Sequence, residues 1–250
     1  MSTNFQVRLP ENSKPLPAHE EYFFITENGV ERCLRLHDYA AVYSIPGLYE
    51  YLLLEKLNYH SHEFMASLLN DNLKNSGESI QDLKILDLGA GTGLFGQAIS
   101  KFGIESIIGI DIIPEAAQAA QRDYPGIYED YFVEDLTQLS PTTGEIIKQK
   151  KLNCFVCCSA FADDHIPGIA FATGVNLIEN QGWVLFNVSK NCYECESNCP
   201  DFVNFYRQLI EQGYLQIHCT ESYLHRHFFS GHPLEYVAII AKKQADIPIG

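Results

Sequence analysis

The stretch KILDLGAGTGLFGQ, Lys84 to Gln97, decides the fold. An apolar run ending in an acid stands directly against glycines at every second position, and a helical pattern follows. Three ligand types commonly use a glycine turn between strand and helix. A mononucleotide P-loop needs a lysine after the last glycine, but Leu94 and Phe95 stand there. A dinucleotide fingerprint needs its third glycine three residues after the second, whereas here it comes early, at Gly93. What remains is Asp-x-Gly-x-Gly-x-Gly: Asp87, Gly89, Gly91 and Gly93. Lacking a β-carbon, these glycines let the backbone approach a ligand and take positive φ. N–H groups at the start of the next helix then face a small anion. An acid two residues before the first glycine has no use beside a pyrophosphate. It suits a group that carries both an ammonium and a carboxylate.

Outward from this turn, β-rich runs alternate with helical stretches: KILDL, GLFGQAISKFG, SIIGID, IPEAAQAAQRDY, YEDYFVED, LNCFVCCSA and GWVLFNVS. The alternation predicts a parallel sheet with helices on both faces. DFVNFYRQLIEQG predicts an amphipathic helix. Two long β-rich segments then flank HFFSGHP, whose Gly231 and Pro233 are turn chemistry, so the sheet ends in an antiparallel hairpin. Upstream, YFFITENGVERCLRL predicts a hairpin around Asn28-Gly29. LHDYAAVYSIPGLYEYLLLEKL and SHEFMASLLNDNL have helical spacing, broken at Ser44 to Gly47 and again near Asn58 to Ser61. The expected organisation is an N-terminal hairpin and helical cap over 1–83, leaning on a core over 84–250 as one compact unit.

The glycine motif resembles the first motif of class I S-adenosylmethionine (SAM)-dependent methyltransferases, and the resemblance runs from about Leu36 to Lys242. It implies a Rossmann-like α/β sheet of seven mostly parallel strands, the last antiparallel. It also implies SAM as cofactor and S-adenosylhomocysteine (SAH) as product. Asp87, Gly89, Ala90, Gly91 and Gly93 would hold the methionine part. Asp111, ending SIIGID, would accept both ribose hydroxyls, with Ile112 packing on adenine. Asp135 would accept from the adenine amino group beside Leu136, and Ser159 would close the site after the fourth strand. Each acid has a plainer reading as a strand-end or helix-cap residue. HDYAAVY resembles the tyrosine-rich helix of a small-molecule subgroup that includes the Williams-Beuren-region methyltransferase-like proteins. That implies Tyr39 and Tyr43 as cofactor contacts, the alternative being a packed helix face.

In this fold the acceptor lies beyond the fourth strand, here CFVCCSAFADDHIP. The Asn/Asp-Pro-Pro-Tyr sequence of many nucleobase and glutamine methyltransferases is replaced by Ser159-Ala160-Phe161-Ala162, which argues against those substrates. Asp163, Asp164 and His165 follow as catalytic candidates: a histidine beside two carboxylates can take the proton an acceptor loses. The plainer reading has an aspartate capping the helix near Pro167. Cys192, Cys195 and Cys199 have a C-x2-C-x3-C spacing that offers three metal ligands without an evident fourth. The expectation there is no metal but a lid loop, acidic through Glu194, Glu196 and Asp201. His225, Arg226 and His227 fall on the sixth strand or its turn, with alternating exposure as the plainer reading and a substrate-side role for one of them as the alternative.

At 250 residues and 46% hydrophobic, the chain can bury one sizeable α/β core. With 17 Lys and Arg against 32 Asp and Glu, the net charge of -15 opposes nucleic acid and anionic membrane surfaces as partners. No signal-peptide core and no membrane-span run is visible, so a cytoplasmic protein with reduced cysteines is expected. The functional expectation is a SAM-dependent methyltransferase acting on a small molecule, foremost N-methylation of a cationic amine-type metabolite. The alternatives are O-methylation, a protein acceptor, a non-catalytic SAM-binding regulator or partner subunit, and a nicotinamide-dependent oxidoreductase, which the glycine spacing disfavours. Assembly, homodimer included, is left open.

Overall fold

The computed structural model describes residues 5–11, 14, 16–161, 166–195 and 199–249. Its main sheet is built from β4 (Lys84–Leu88), β5 (Ser106–Asp111), β6 (Asp130–Val133), β7 (Cys154–Cys157), β8 (Trp183–Ser189), β9 (Leu215–His227) and β10 (Pro233–Lys243). The seven strands lie in the order β6-β5-β4-β7-β8-β10-β9. β4 to β8 pair in parallel, and β10 is antiparallel to both β8 and β9. The chain's last strand is therefore inserted between β8 and β9 and does not form the edge. Strand order runs outward from β4 through β5 to β6, then reverses so that β7 pairs with the other side of β4. That reversal opens a crevice at the carboxyl ends of β4 and β7.

Alternate residues of each strand feed opposite layers, as expected for a sheet buried on both faces. Ile85, Ile107, Val156, Leu185 and Ile240 pack with Met65, Leu69 and Leu73 of α3 (Ser61–Asn75) and with Phe95 and Ile99 of α4 (Leu94–Ser100). Leu86, Ile108, Phe155, Phe186 and Ile239 face the other way. They meet Ile147 of α6 (Pro141–Gln149), Phe171 and Val175 of α7 (Gly168–Asn176), and Phe202 and Leu209 of α9 (Pro200–Glu211).

Upstream, β1 (Phe5–Arg8), β2 (Tyr22–Glu27) and β3 (Val30–Arg35) form a small antiparallel sheet. Asn28 and Gly29, at φ 50° and 80°, make the two-residue turn that the Asn-Gly pair predicts. The sequence reading missed β1, which is only four residues long. α1 (Tyr39–Tyr43) breaks at Gly47, φ 74°, before α2 (Leu48–Glu50), which runs on as a π-helical turn over Tyr51–Lys56. This segment is fastened to β9: the His227 N–H donates to the Leu57 carbonyl at 2.7 Å and the His60 N–H to that of His225 at 2.9 Å.

The expectation of free thiols fails at one pair. Cys192, on α8 (Lys190–Glu194), is disulfide-bonded to Cys199, with Cα atoms 5.1 Å apart. Cys192 on α8 and Cys199 just before α9 lie within bridging range, a proximity that compartment-based reasoning cannot see. Among the described residues no helix is long and apolar enough to cross a membrane.

Candidate functional site

A cavity of about 280 Å³ opens at the carboxyl ends of β4 and β7. The glycine turn forms its floor. Gly89, Gly91 and Gly93 all adopt left-handed φ, at 70°, 56° and 97°. The turn is tied to β5: Gly89 and Ala90 donate to the Ile110 carbonyl at 2.8 and 3.1 Å, and Gly91 donates to Asp111 Oδ2 at 3.0 Å. A β-carbon at Gly89 would stand 2.6 Å from the Ala160 side chain, so glycine is what lets the floor meet the end of β7. Gly93 is not in the cavity wall; it is the left-handed cap that turns the chain into α4.

Asp87 is 1% exposed. Its Oδ2 accepts from the Tyr128 hydroxyl at 2.8 Å, while its Oδ1 is buried with no partner among the described residues. Burial pushes the carboxyl up to about 7, with Tyr128 opposing and Asp111 adding to the rise. A buried half-paired carboxylate calls for a cation, and the ammonium of an amino-acid moiety fits. Asp111, also raised by burial, accepts from the Gly91 and Ile113 N–H groups, each at 3.0 Å. Both of its oxygens keep lone pairs for a diol. Ile112 beside it lines the cavity yet is 61% exposed, an apolar surface with room for a flat ring. Asp135 caps the short turn at Leu136–Gln138, accepting from the Thr137 N–H and hydroxyl at 2.8 and 2.7 Å. Those bonds hold its carboxyl below the ordinary range. It lines the cavity with Leu136, so the capping and binding readings coexist.

Tyrosines roof the space. Tyr39 and Tyr43 stack at 5.6 Å, and Tyr49 meets Tyr43 edge-on at 4.9 Å. All three line the cavity together with Tyr59, so helix packing and contact with the site are not exclusive. Arg122, on α5 (Pro114–Asp123), donates to the Tyr43 carbonyl at 3.0 Å and anchors the roof. Ser159, at φ 62°, and Cys158 continue the wall beyond β7.

Asp163, Asp164 and His165 lie outside the described residues; Ala160 and Ile166, which flank their segment, line the cavity. The acidic-lid expectation fails for the described part of its segment: none of residues 190–195 and 199–201 lines the cavity. Cys192, Tyr193 and Cys199 pack on the core instead. Among the described residues no cluster of His, Cys, Asp or Glu could hold a metal ion. Exposure does not alternate at His225 and Arg226, which are 5% and 4% exposed. The β9–β10 register slips between Leu234 and Glu235, making His225 the extra residue of a bulge. Arg226 pairs with Glu21 of the N-terminal segment at 2.7 Å. Sequence reasoning missed Tyr49, Tyr59 and Asn187, which no local motif marks.

Residues 86–163 match the family model of a methyltransferase domain. No curated protein matches the chain in sequence. Among solved structures, the chain is similar to an S-adenosylmethionine-dependent methyltransferase from Clostridium acetobutylicum, at TM-score 0.53 and 11% identity over 79% of this chain and 97% of that one. It is similar to the N-methyltransferase NodS from Bradyrhizobium japonicum in complex with SAH, at 0.50 and 14% over 73% and 87%. Magnesium protoporphyrin IX methyltransferase from Synechocystis with bound SAH aligns at 0.50 and 15% over 74% and 84%. At such identities the likeness is one of fold. The matched domain makes the chain an enzyme, a methyltransferase, and its fold is that of the SAM-dependent ones, for which SAM is the cofactor.

Proposed function

We propose that this methyltransferase N-methylates a small, cationic amine-type metabolite held under the tyrosine roof. The observation that carries the small-molecule reading is the roof itself: Tyr39, Tyr43, Tyr49 and Tyr59 line a cavity of about 280 Å³, where a polymer would need a groove clear of such side chains. The same roof supports the likeness to the small-molecule subgroup. SAM, when bound, supplies a sulfonium methyl for in-line displacement. The chain's residues bind and orient. Asp87 takes the ammonium, the N–H groups beyond Gly91 face the carboxylate, Asp111 accepts the ribose hydroxyls, and Asp135 accepts the adenine amino group while Ile112 covers the ring.

An ammonium has no lone pair and must lose a proton before it attacks. Asp163 and Asp164 draw the cation and His165 takes its proton. The net charge of -15 favours a cation over a polyanion, which supports the absence of nucleic-acid and membrane partners. The cytoplasm is the proposed location. A reducing compartment would hold Cys192 and Cys199 as thiols. Neither lines the cavity, so SAH affinity is expected to be the same with and without reductant.

The test is incubation with methyl-labelled SAM and a fractionated metabolite extract, with the product identified by mass. An N-methylated amine is expected, its formation rising with pH as the acceptor or His165 deprotonates. A methyl ester or phenol ether would overturn the amine assignment. Tight SAM binding without turnover in any fraction would favour a regulatory protein.

A further inference from the structure

On the β7–β8 side of the cavity lies a hydrogen-bond network that shares only Ser159 with the expected cofactor site. The carboxylates Asp135 after β6, Asp111 at the end of β5 and Asp87 near the end of β4 lie along one half of the sheet's carboxyl edge. The network beyond β7 is formed by Ser159, Asn187 of β8, Tyr223 and His225 of β9, Tyr59, and Ser61 at the start of α3.

The order of the hydrogen bonds from Ser159 to His225 follows from one fixed donor. The Ser159 N–H donates to Asn187 Oδ1 at 2.6 Å, which orients that amide. Asn187 Nδ2 then donates to the Tyr223 hydroxyl at 2.6 Å. Tyr223 must pass its own hydrogen to Ser61 Oγ, 2.6 Å away, and Ser61 passes its hydrogen to His225 Nδ1 at 2.7 Å. The opposite order would leave the buried Tyr223 hydrogen without an acceptor. His225 is thereby fixed as the neutral Nε2–H tautomer, in keeping with its burial and its stacking on Tyr236 at 3.8 Å.

The second Asn187 hydrogen has Ser159 Oγ at 3.3 Å and Ser61 Oγ at 3.4 Å within reach, and Ser159 Oγ is 3.1 Å from the Tyr59 hydroxyl. One hydrogen serves the contact between the two hydroxyls. The remaining hydrogen has Cys158 Sγ within reach, 3.5 Å from the Tyr59 hydroxyl and 3.8 Å from Ser159 Oγ, so what the pair offers the cavity, which both residues line, is an oxygen lone pair. Ser159 is also held in a left-handed conformation rare for a residue with a β-carbon, and Asn187 grips its N–H.

We infer that the Tyr59–Ser159 hydroxyl pair orients the methyl acceptor, and that Asn187 is the positioning residue that fixes it. The acceptor class is a protic nucleophile, an amine or hydroxyl, whose own N–H or O–H donates to the pair while its lone pair faces the methyl group. A quaternary ammonium or a thioether lacks that hydrogen. This rests on the methyltransferase reading and adds the residues that select the acceptor.

The experiment compares wild type with Tyr59→Phe, Ser159→Ala and Asn187→Ala, using SAH binding by calorimetry and label transfer from methyl-labelled SAM into a metabolite extract. SAH affinity should stay within about twofold in Tyr59→Phe, while transfer at saturating SAM falls by about tenfold or more in all three. The nitrogen-15 spectrum of wild type should show His225 as the Nε2–H tautomer, a signature that mere packing does not require. Full-rate transfer by Tyr59→Phe and Ser159→Ala, or a labelled product without a protic precursor, would overturn this inference alone. A wild type that labels nothing would contradict both it and the acceptor reading.

Discussion

At the scale of single residues, Asp87 carries the most chemistry. Its folded carboxyl titrates at about 7, above the ordinary carboxylate value near 4, so the folded chain holds a proton that the unfolded chain releases. The resulting stabilisation is complete below the unfolded value and fades as pH rises through about 7. A bound ammonium reverses the preference. SAH binding just below pH 7 is therefore expected to release a proton, measurable by calorimetry in buffers of different ionisation heat. Proton uptake, or none, would place the ammonium elsewhere. Asp87→Asn should weaken SAH binding yet raise the melting temperature of the free protein above pH 7. Asp111→Ala removes the acceptor for the ribose diol and the anchor of the Gly91 N–H, so SAH affinity should drop at least about tenfold, at roughly 1–3 kcal/mol per unpaired donor. Gly89→Ala meets both a left-handed φ and the Ala160 side chain, and should cost about 2–4 kcal/mol in denaturant unfolding. These residues were legible because one strand–turn–helix motif and the strand ends after it fix their places. Tyr59 and Asn187 were not. Tyr59 meets Ser159 across a separation of 100 residues, and Ser159 meets Asn187 across 28, distances over which no local pattern speaks.

Among elements, the Asn28-Gly29 hairpin and the alternation of strand and helix could be read directly, since turn chemistry and periodicity are local. The insertion of β10 between β8 and β9 could not, because a hairpin signal says that two strands pair and not what lies on their far sides. The bulge at His225 was hidden for a related reason: an extra residue in one strand appears only against its partner's register. Its consequence is that Arg226 turns to the N-terminal segment and buries an ion pair with Glu21, whose other oxygen accepts from the Phe229 N–H at 2.6 Å. Arg226→Leu should leave Glu21 buried without its partner and cost about 3–5 kcal/mol. Replacing both residues with apolar ones of similar volume should recover much of that loss. A single variant as stable as wild type would show that the pair does not fasten the segment to β9.

For the molecule as a whole, the sheet's order reversal, the glycine turn and the tyrosine roof meet at one cavity, into which the proposal reads both cofactor and acceptor. The acidic surface adds a bias toward cations and away from polyanions without specifying any one compound. The proposed acceptor site was beyond reach in the sequence because it draws on side chains at or beyond β7, β8, β9 and the helices before β4, which only the fold assembles. The most direct test of the account is where the methyl group goes. Methyl-labelled SAM is incubated with the enzyme and a whole-cell extract, which is then separated into protein, nucleic acid and low-mass ultrafiltrate. The account predicts label in the ultrafiltrate on an amine nitrogen, with transfer abolished by Asp111→Ala; label confined to protein or RNA would contradict it.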